Sequence, residues 1–145
     1  MTQFVEEPLA PQHLLMMTNG LEDGERLLGK IPEHPGELHK SLAEYFDANL
    51  EVTEQDAAHL GIFWAWSLVT KEGWEWVALK KDHWQALGVA DKERRYVVLP
   101  VSYFVNLYHR HRHTDSIVQP AVVYYCISTG DLKDSEPMSY SVVAM

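Results

Sequence analysis

The chain has 145 residues and a mass of 16.7 kDa, enough for one domain and too few for two independent cores, since domains usually run to roughly 100–150 residues. Its 21 acidic residues against 12 basic ones give a net charge of −9 and a pI near 5.2, which argues against nucleic acid or an anionic membrane as partners of the whole surface. With 46% apolar residues a core forms without metal or disulfide staples, and the single cysteine, Cys126, has no internal partner and suits a reducing compartment.

The start, MTQFVEEPLAP, has no basic n-region and no uninterrupted apolar stretch, so a cytoplasmic protein is expected. The most apolar stretch, Ala57 to Val69, falls short of the roughly 20 residues that a bilayer requires and contains His59, so no membrane partner is expected. Residues 1–35 are weakly specified within a single domain spanning 1–145. They offer two short helices, Pro11 to Thr18 and Leu21 to Lys30, parted by Asn19-Gly20. From Gly36 to Leu50 the pattern clears: Leu38, Leu42, Tyr45 and Phe46 share one side of a helical wheel, with Lys40, Glu44 and Asp47 on the other.

The next helix opens at Thr53, an N-cap with Asp56 three residues on, and stops at Gly73. Ala57, Leu60, Gly61, Trp64, Ala65 and Leu68 follow helical spacing, while Ile62, Phe63, Trp66 and Val69 fill most of the remaining circumference. A helix apolar nearly all round must be covered on more than one side, by its own chain or by a twin copy. After Gly73 the period becomes strand-like, with Trp74, Trp76 and Ala78 alternating against Glu75, Val77 and Leu79. Lys80 to Arg95 reads as polar and leads into a second strand that Pro100 stops. Val101 to Arg112 is expected to be helical, because Pro100 suits a helix start and Arg110 and Arg112 suit its C-terminal end. Ala121 to Thr129, rich in Val and Tyr, reads as a strand, and Met138 to Ala144 as a last strand pairing with it. The expected fold is α+β: two or three helices on an antiparallel sheet of about four strands.

The runs LGIFWAWSLVTKEGWEWVAL, Leu60 to Leu79, and YVVLPVSYFVNL, Tyr96 to Leu107, resemble a family of uncharacterised small bacterial α+β domains. In that family a helix ends at a Gly-Trp-x-Trp step into a strand, and a later strand runs into a proline. The likeness covers about a third of the chain and rests on structural glycine, tryptophan and proline, so it implies a fold and a bacterial source rather than an activity. By size and charge alone, compact acidic domains of this kind are analogous to immunity proteins that neutralise a toxin.

The conspicuous chemistry is the run His109-Arg110-His111-Arg112-His113. On a helix His109 and His113 lie one turn apart and reach one divalent ion, with Asp115 the nearest further ligand. Two ligands are not a site, and two arginines raise the cost of placing a cation there, so the plainer reading is a solvated basic helix end. A second use is a small basic spot for an acidic partner or phosphate. His59, flanked by apolar residues, is expected to be partly buried and hydrogen-bonded to a carbonyl or an acid. Cys126 has no neighbouring base and reads as packing. Neither GxxxxGK nor GxGxxG occurs, no serine sits in a nucleophile elbow, and nothing calls for a cofactor. Of the five tryptophans, Trp64, Trp74 and Trp76 read as core, and Trp66 and Trp84 as binding candidates.

These features favour a non-enzymatic acidic module that binds a basic protein, with acidic clusters at Glu6-Glu7, Glu22 to Glu25, Asp47 to Glu54 and Asp131 to Glu136. The alternative is a metal- or small-ligand-binding domain using His109 to His113. A homodimer through Phe63 and Trp66 is the third expectation.

Overall fold

A computed structural model describes residues 4–29, 33–48, 52–111 and 119–145. In chain order they form β1 (Val5–Glu7), α1 (Pro11–Leu28), α2 (Pro35–Ala48), α3 (Glu54–Glu72), β2 (Glu75–Lys81), β3 (Trp84–Ala90), β4 (Tyr96–Val98), α4 (Pro100–His111), α5 (Gln119–Thr129) and β5 (Ser141–Ala144). The fold is α+β, as expected, with more elements: five helices among the described residues, and a sheet of five strands rather than four, in the order β1-β2-β3-β4-β5.

Helix α3 is the centre of the molecule. The Thr53 hydroxyl accepts the Asp56 N–H at 3.0 Å, and Gly73, at φ 73°, closes the other end in the left-handed region that glycine enters without penalty. Between these caps Ala57, Leu60 to Ala65 and Leu68 are all buried. Three neighbours cover the helix. On one side α1 brings Gly20 and Gly24 so close that Ile62 and Phe63 occupy the space a Cβ would need. On another, Gly61 lies against the Pro100 carbonyl and Phe104 at the start of α4. A third side joins the core of Leu38, Leu42, Phe46, Tyr124 and Ile127 from α2 and α5.

The sheet is mixed, not purely antiparallel. β1, β2, β3 and β4 pair antiparallel in sequence, with the β2–β3 turn at Asp82-His83, whereas β5 pairs parallel with β4 after the excursion through α4 and α5. The predicted pairing of the last strand with the segment before it therefore does not form. One sheet face, with Val89, Val98 and Ala144, packs on the helices. The other carries Val77, Leu79, Ala90, Val97 and Leu99 under Phe4, Trp84 and Tyr140.

Three segments depart from expectation, the first being Pro11–Leu28, one continuous helix where two short ones were expected. Ala121 to Thr129 is helical, because Pro120, Tyr124 and Ile127 recur at helical spacing and bury one stripe while Val122 and Tyr125 face out. The polar run after Lys80 contains β3, whose Gly88 lets β4 approach: a Cβ there would stand 3.1 Å from both Val97 Cγ2 and the Val98 carbonyl.

Candidate functional site

The histidine run sits at the end of α4. His109 is exposed, its Nε2 is 2.8 Å from Glu54 Oε1 at the start of α3, and its ring stacks on Tyr108 with centroids 5.1 Å apart. Arg110 and His111 close the last turn of α4, and Arg112, His113 and Asp115 lie outside the described residues. Among the described residues no three His, Cys, Asp or Glu side chains converge as metal ligands.

The two tryptophans singled out as binding candidates lie on opposite sides of the sheet. Trp66 is half-buried on the helix side, where its Nε1–H donates to the Met17 carbonyl at 3.1 Å and its ring meets Trp76 edge-on at 5.2 Å. It lines a mostly apolar cavity of about 330 Å³ with Leu21, Leu38, Phe63 and Lys71. Phe63 is buried beneath α1, which covers much of the apolar arc of α3. Trp84, on the far side, packs against Phe4 at 5.6 Å beside a shallow hollow. Trp64 and Trp74 are buried as expected, Trp76 is half-buried, and so is Cys126.

A third surface, on α1, combines apolar and acidic groups. Because Met17, Gly20 and Gly24 make up the inner face, the side chains of the opposite arc of α1, Leu15 and Glu22 among them, are turned outward. Leu14 is 51% exposed, Leu15 60% and Met16 37%. Further along the same helix stand the exposed Glu22 and Glu25, with Asp23 between them. Asp23 Oδ2 is 2.7 Å from His59 Nδ1 of α3, and its Oδ1 is held by Arg26 through Nε at 2.8 Å and Nη2 at 2.6 Å. Partial burial tends to raise the Asp23 pKa, but the hydrogen bonds from His59 and Arg26 prevail and hold it below the usual carboxylate range. His59 is thus tied to an acid, as its apolar flanks suggested. Asp56 lies within electrostatic reach of Arg26 and of Tyr45 on α2, so Asp23 of α1 and Asp56 of α3 fall on one side of the molecule.

Not all predicted acidic clusters are available for binding. Glu6 is engaged by Arg94 and Tyr140, and Glu75 by Arg94. Tyr124, buried against the Glu72 carboxylate to which it donates at 3.0 Å, has its pKa pushed well up. The exposed Leu14, Leu15 and Met16 were not among the sequence candidates, although the run Leu-Leu-Met-Met ahead of two glycines spaced one turn apart carries the signal. No helix among the described residues is long and apolar enough to cross a membrane. No protein-family model, characterised protein or solved structure matches this chain.

Proposed function

We propose that this chain is a non-enzymatic protein-binding module that docks a basic partner on the outer face of α1, in the manner of a cytoplasmic bacterial protein that neutralises a toxin. The observation that carries this reading is the exposure of two large apolar side chains, Leu14 and Leu15, on the arc of α1 that also presents Glu22 and Glu25. Desolvated apolar anchors with a charged surround are the usual anatomy of a tight contact. The surplus of negative charge speeds encounter with a cation-rich surface, and the apolar residues slow its departure.

Capture from the source cytosol at low salt tests this. The wild type should retain a protein of high pI that elutes as salt rises, Glu22→Lys with Glu25→Lys should slow association, and Leu15→Lys should weaken binding at least about tenfold. Recovery of no basic protein, or equal recovery by Leu15→Lys, counts against the reading.

A second reading keeps His109 as a metal or small-ligand contact, supported by the imidazole and the Glu54 carboxylate that two helices already place 2.8 Å apart. It requires near-stoichiometric metal in purified protein and a melting temperature that a chelator lowers.

A further inference from the structure

We infer that the cavity beside Trp66 is a small-molecule site for a flat aromatic monocarboxylate, whose ring lies against the indole and whose carboxylate meets the Lys71 ammonium. The cavity opens where α1, the start of α2 and α3 meet, and its volume is about 330 Å³. Small-molecule sites run from roughly 300 to 1,000 Å³, and a dry apolar cavity of about 150 Å³ takes up benzene. The space therefore suits a ring with a short side chain or a fused pair of rings. Leu21, Leu38, Phe63 and Trp66 form its apolar wall. That wall is fixed before anything enters. Trp66 is tied by its Nε1–H to the Met17 carbonyl at 3.1 Å and by its edge-on contact with Trp76 at 5.2 Å, and Leu38 and Phe63 are buried in the core. None of the three can swing inward to fill the space without giving up those contacts. A pocket formed in advance spends little on ordering when a ligand binds.

The polar groups of the lining choose the charge. Ser67 and Thr70 give their hydroxyl protons to the Trp64 and Trp66 carbonyls of their own helix, so neither has a donor left for a ligand. Among the described residues the Lys71 ammonium and the His34 ring have no ion pair or side-chain hydrogen bond, which leaves them as the donors of the lining. A free ammonium beside an apolar wall takes a hydrogen-bond acceptor, best an anionic one. Glu33, exposed on the same rim, repels further negative charge and limits the ligand to one carboxylate. This inference does not rest on the docking proposed for the outer arc of α1, and the test separates them.

Cinnamate and its uncharged counterpart cinnamamide, titrated calorimetrically into the full chain at neutral pH, are the probes. Cinnamate should bind one to a chain, raise the melting temperature, and bind at least about fivefold tighter than cinnamamide. Lys71→Met, which keeps the apolar stem and removes the charge, should bring the two within about twofold of each other. Ser67→Leu, which fills the cavity with a branched side chain, should weaken both at least about tenfold with an unchanged circular dichroism spectrum. Leu15→Lys should bind both as the wild type does. Binding of neither probe, equal affinity for the two in the wild type, a preference that survives Lys71→Met, binding untouched by Ser67→Leu, or binding lost in Leu15→Lys overturns the inference. The comparison of the two probes in the wild type and Lys71→Met decides the matter even if Ser67→Leu fails to fold.

Discussion

The indole N–H of Trp64 donates to Nε2 of His39 at 2.9 Å, which fixes the protonation state that the fold accepts. An indole can only donate, so Nε2 must carry a lone pair and the ring is neutral with its proton on Nδ1. Tyr124 closes edge-on over the ring at 5.3 Å, tying α2 to α3 and α5. Burial pushes the His39 pKa down, and the carbonyls of Pro35 and Pro120 only partly oppose it.

The unfolded chain therefore takes up a proton at His39 more readily than the folded one. Stability from this site is complete above about pH 6.5, the unfolded value, and is lost as pH falls from there through the folded pKa. The carboxylates of Asp23 and Glu6, both held low, act in a separate window below about pH 4. Denaturant midpoints of the wild type and His39→Gln, compared from neutral to mildly acid pH, should show a loss in the wild type that the variant lacks. Parallel curves would remove His39 as the source.

Gly61 and Gly36 make a matched pair for testing the contact of α3 with α4. A Cβ at Gly61 would overlap the Pro100 carbonyl and press on Phe104 Cβ at 3.0 Å, and a backbone oxygen cannot swing aside; at Gly36 the same atom meets open space. Gly61→Ala should cost about 1–3 kcal/mol or more from overpacking. Gly36→Ala should be neutral or stabilise by about 0.4–1 kcal/mol through the unfolded chain. Chemical denaturation of both measures the difference, and equal effects would mean that α4 does not sit so close.

The histidine content gives the surface a lever on pH. Protonation of the seven histidines other than His39 would cancel seven of the nine net negative charges, so repulsion between molecules should fall between about pH 7 and pH 5. Light scattering that does not rise over that interval contradicts this.

The residues that made the fold legible are those whose chemistry acts locally. Thr53 and Gly73 bracket α3 because a cap is a contact within one turn, and the period of two after Gly73 marks β2 even though Val77, Ala78 and Leu79 are buried on both faces of the sheet. Where the deciding contact is distant, local signals mislead. Asn19-Gly20 looks like a turn that parts two short helices, yet Gly20 and Gly24 fall on one face of a continuous α1, where Ile62 and Phe63 require the absence of a side chain. α5 is apolar on so much of its circumference that period alone could not choose between strand and helix, and Tyr124 and Ile127 settle it by packing into the core. The site suffered in the same way. The exposure of Leu14 and Leu15 follows from which face of α1 holds the glycines, and the pairing of His109 with Glu54 joins the ends of two helices far apart in sequence.

Arg94 is the clasp on the guarded edge of the sheet, and its removal should loosen β1 before anything else. Its Nε meets Glu6 Oε1 at 2.8 Å, while Nη1 meets Glu75 Oε1 at 2.7 Å and the Asp91 carbonyl at 2.9 Å. Tyr140, from the segment before β5, donates to the same Glu6 oxygen at 3.0 Å. The Arg94 hydrogen bond holds the Glu6 pKa below its usual range against partial burial, so this link is present at neutral pH and is lost as pH falls through the folded value. Glu75 is half exposed, which discounts its share, whereas Arg94 is largely covered. Arg94→Ala leaves Glu6 without its cation and should cost about 1–2 kcal/mol, between the values for exposed and buried pairs. Arg94→Lys should recover only part, because a single ammonium cannot reach two carboxylates and a carbonyl with the geometry of a guanidinium fork. Amide exchange reads the location: Val5 to Glu7 should open faster in Arg94→Ala, with β2 and β3 little changed. Unaltered protection of β1 in that variant would show that the strand is held by its backbone ladder to β2 alone.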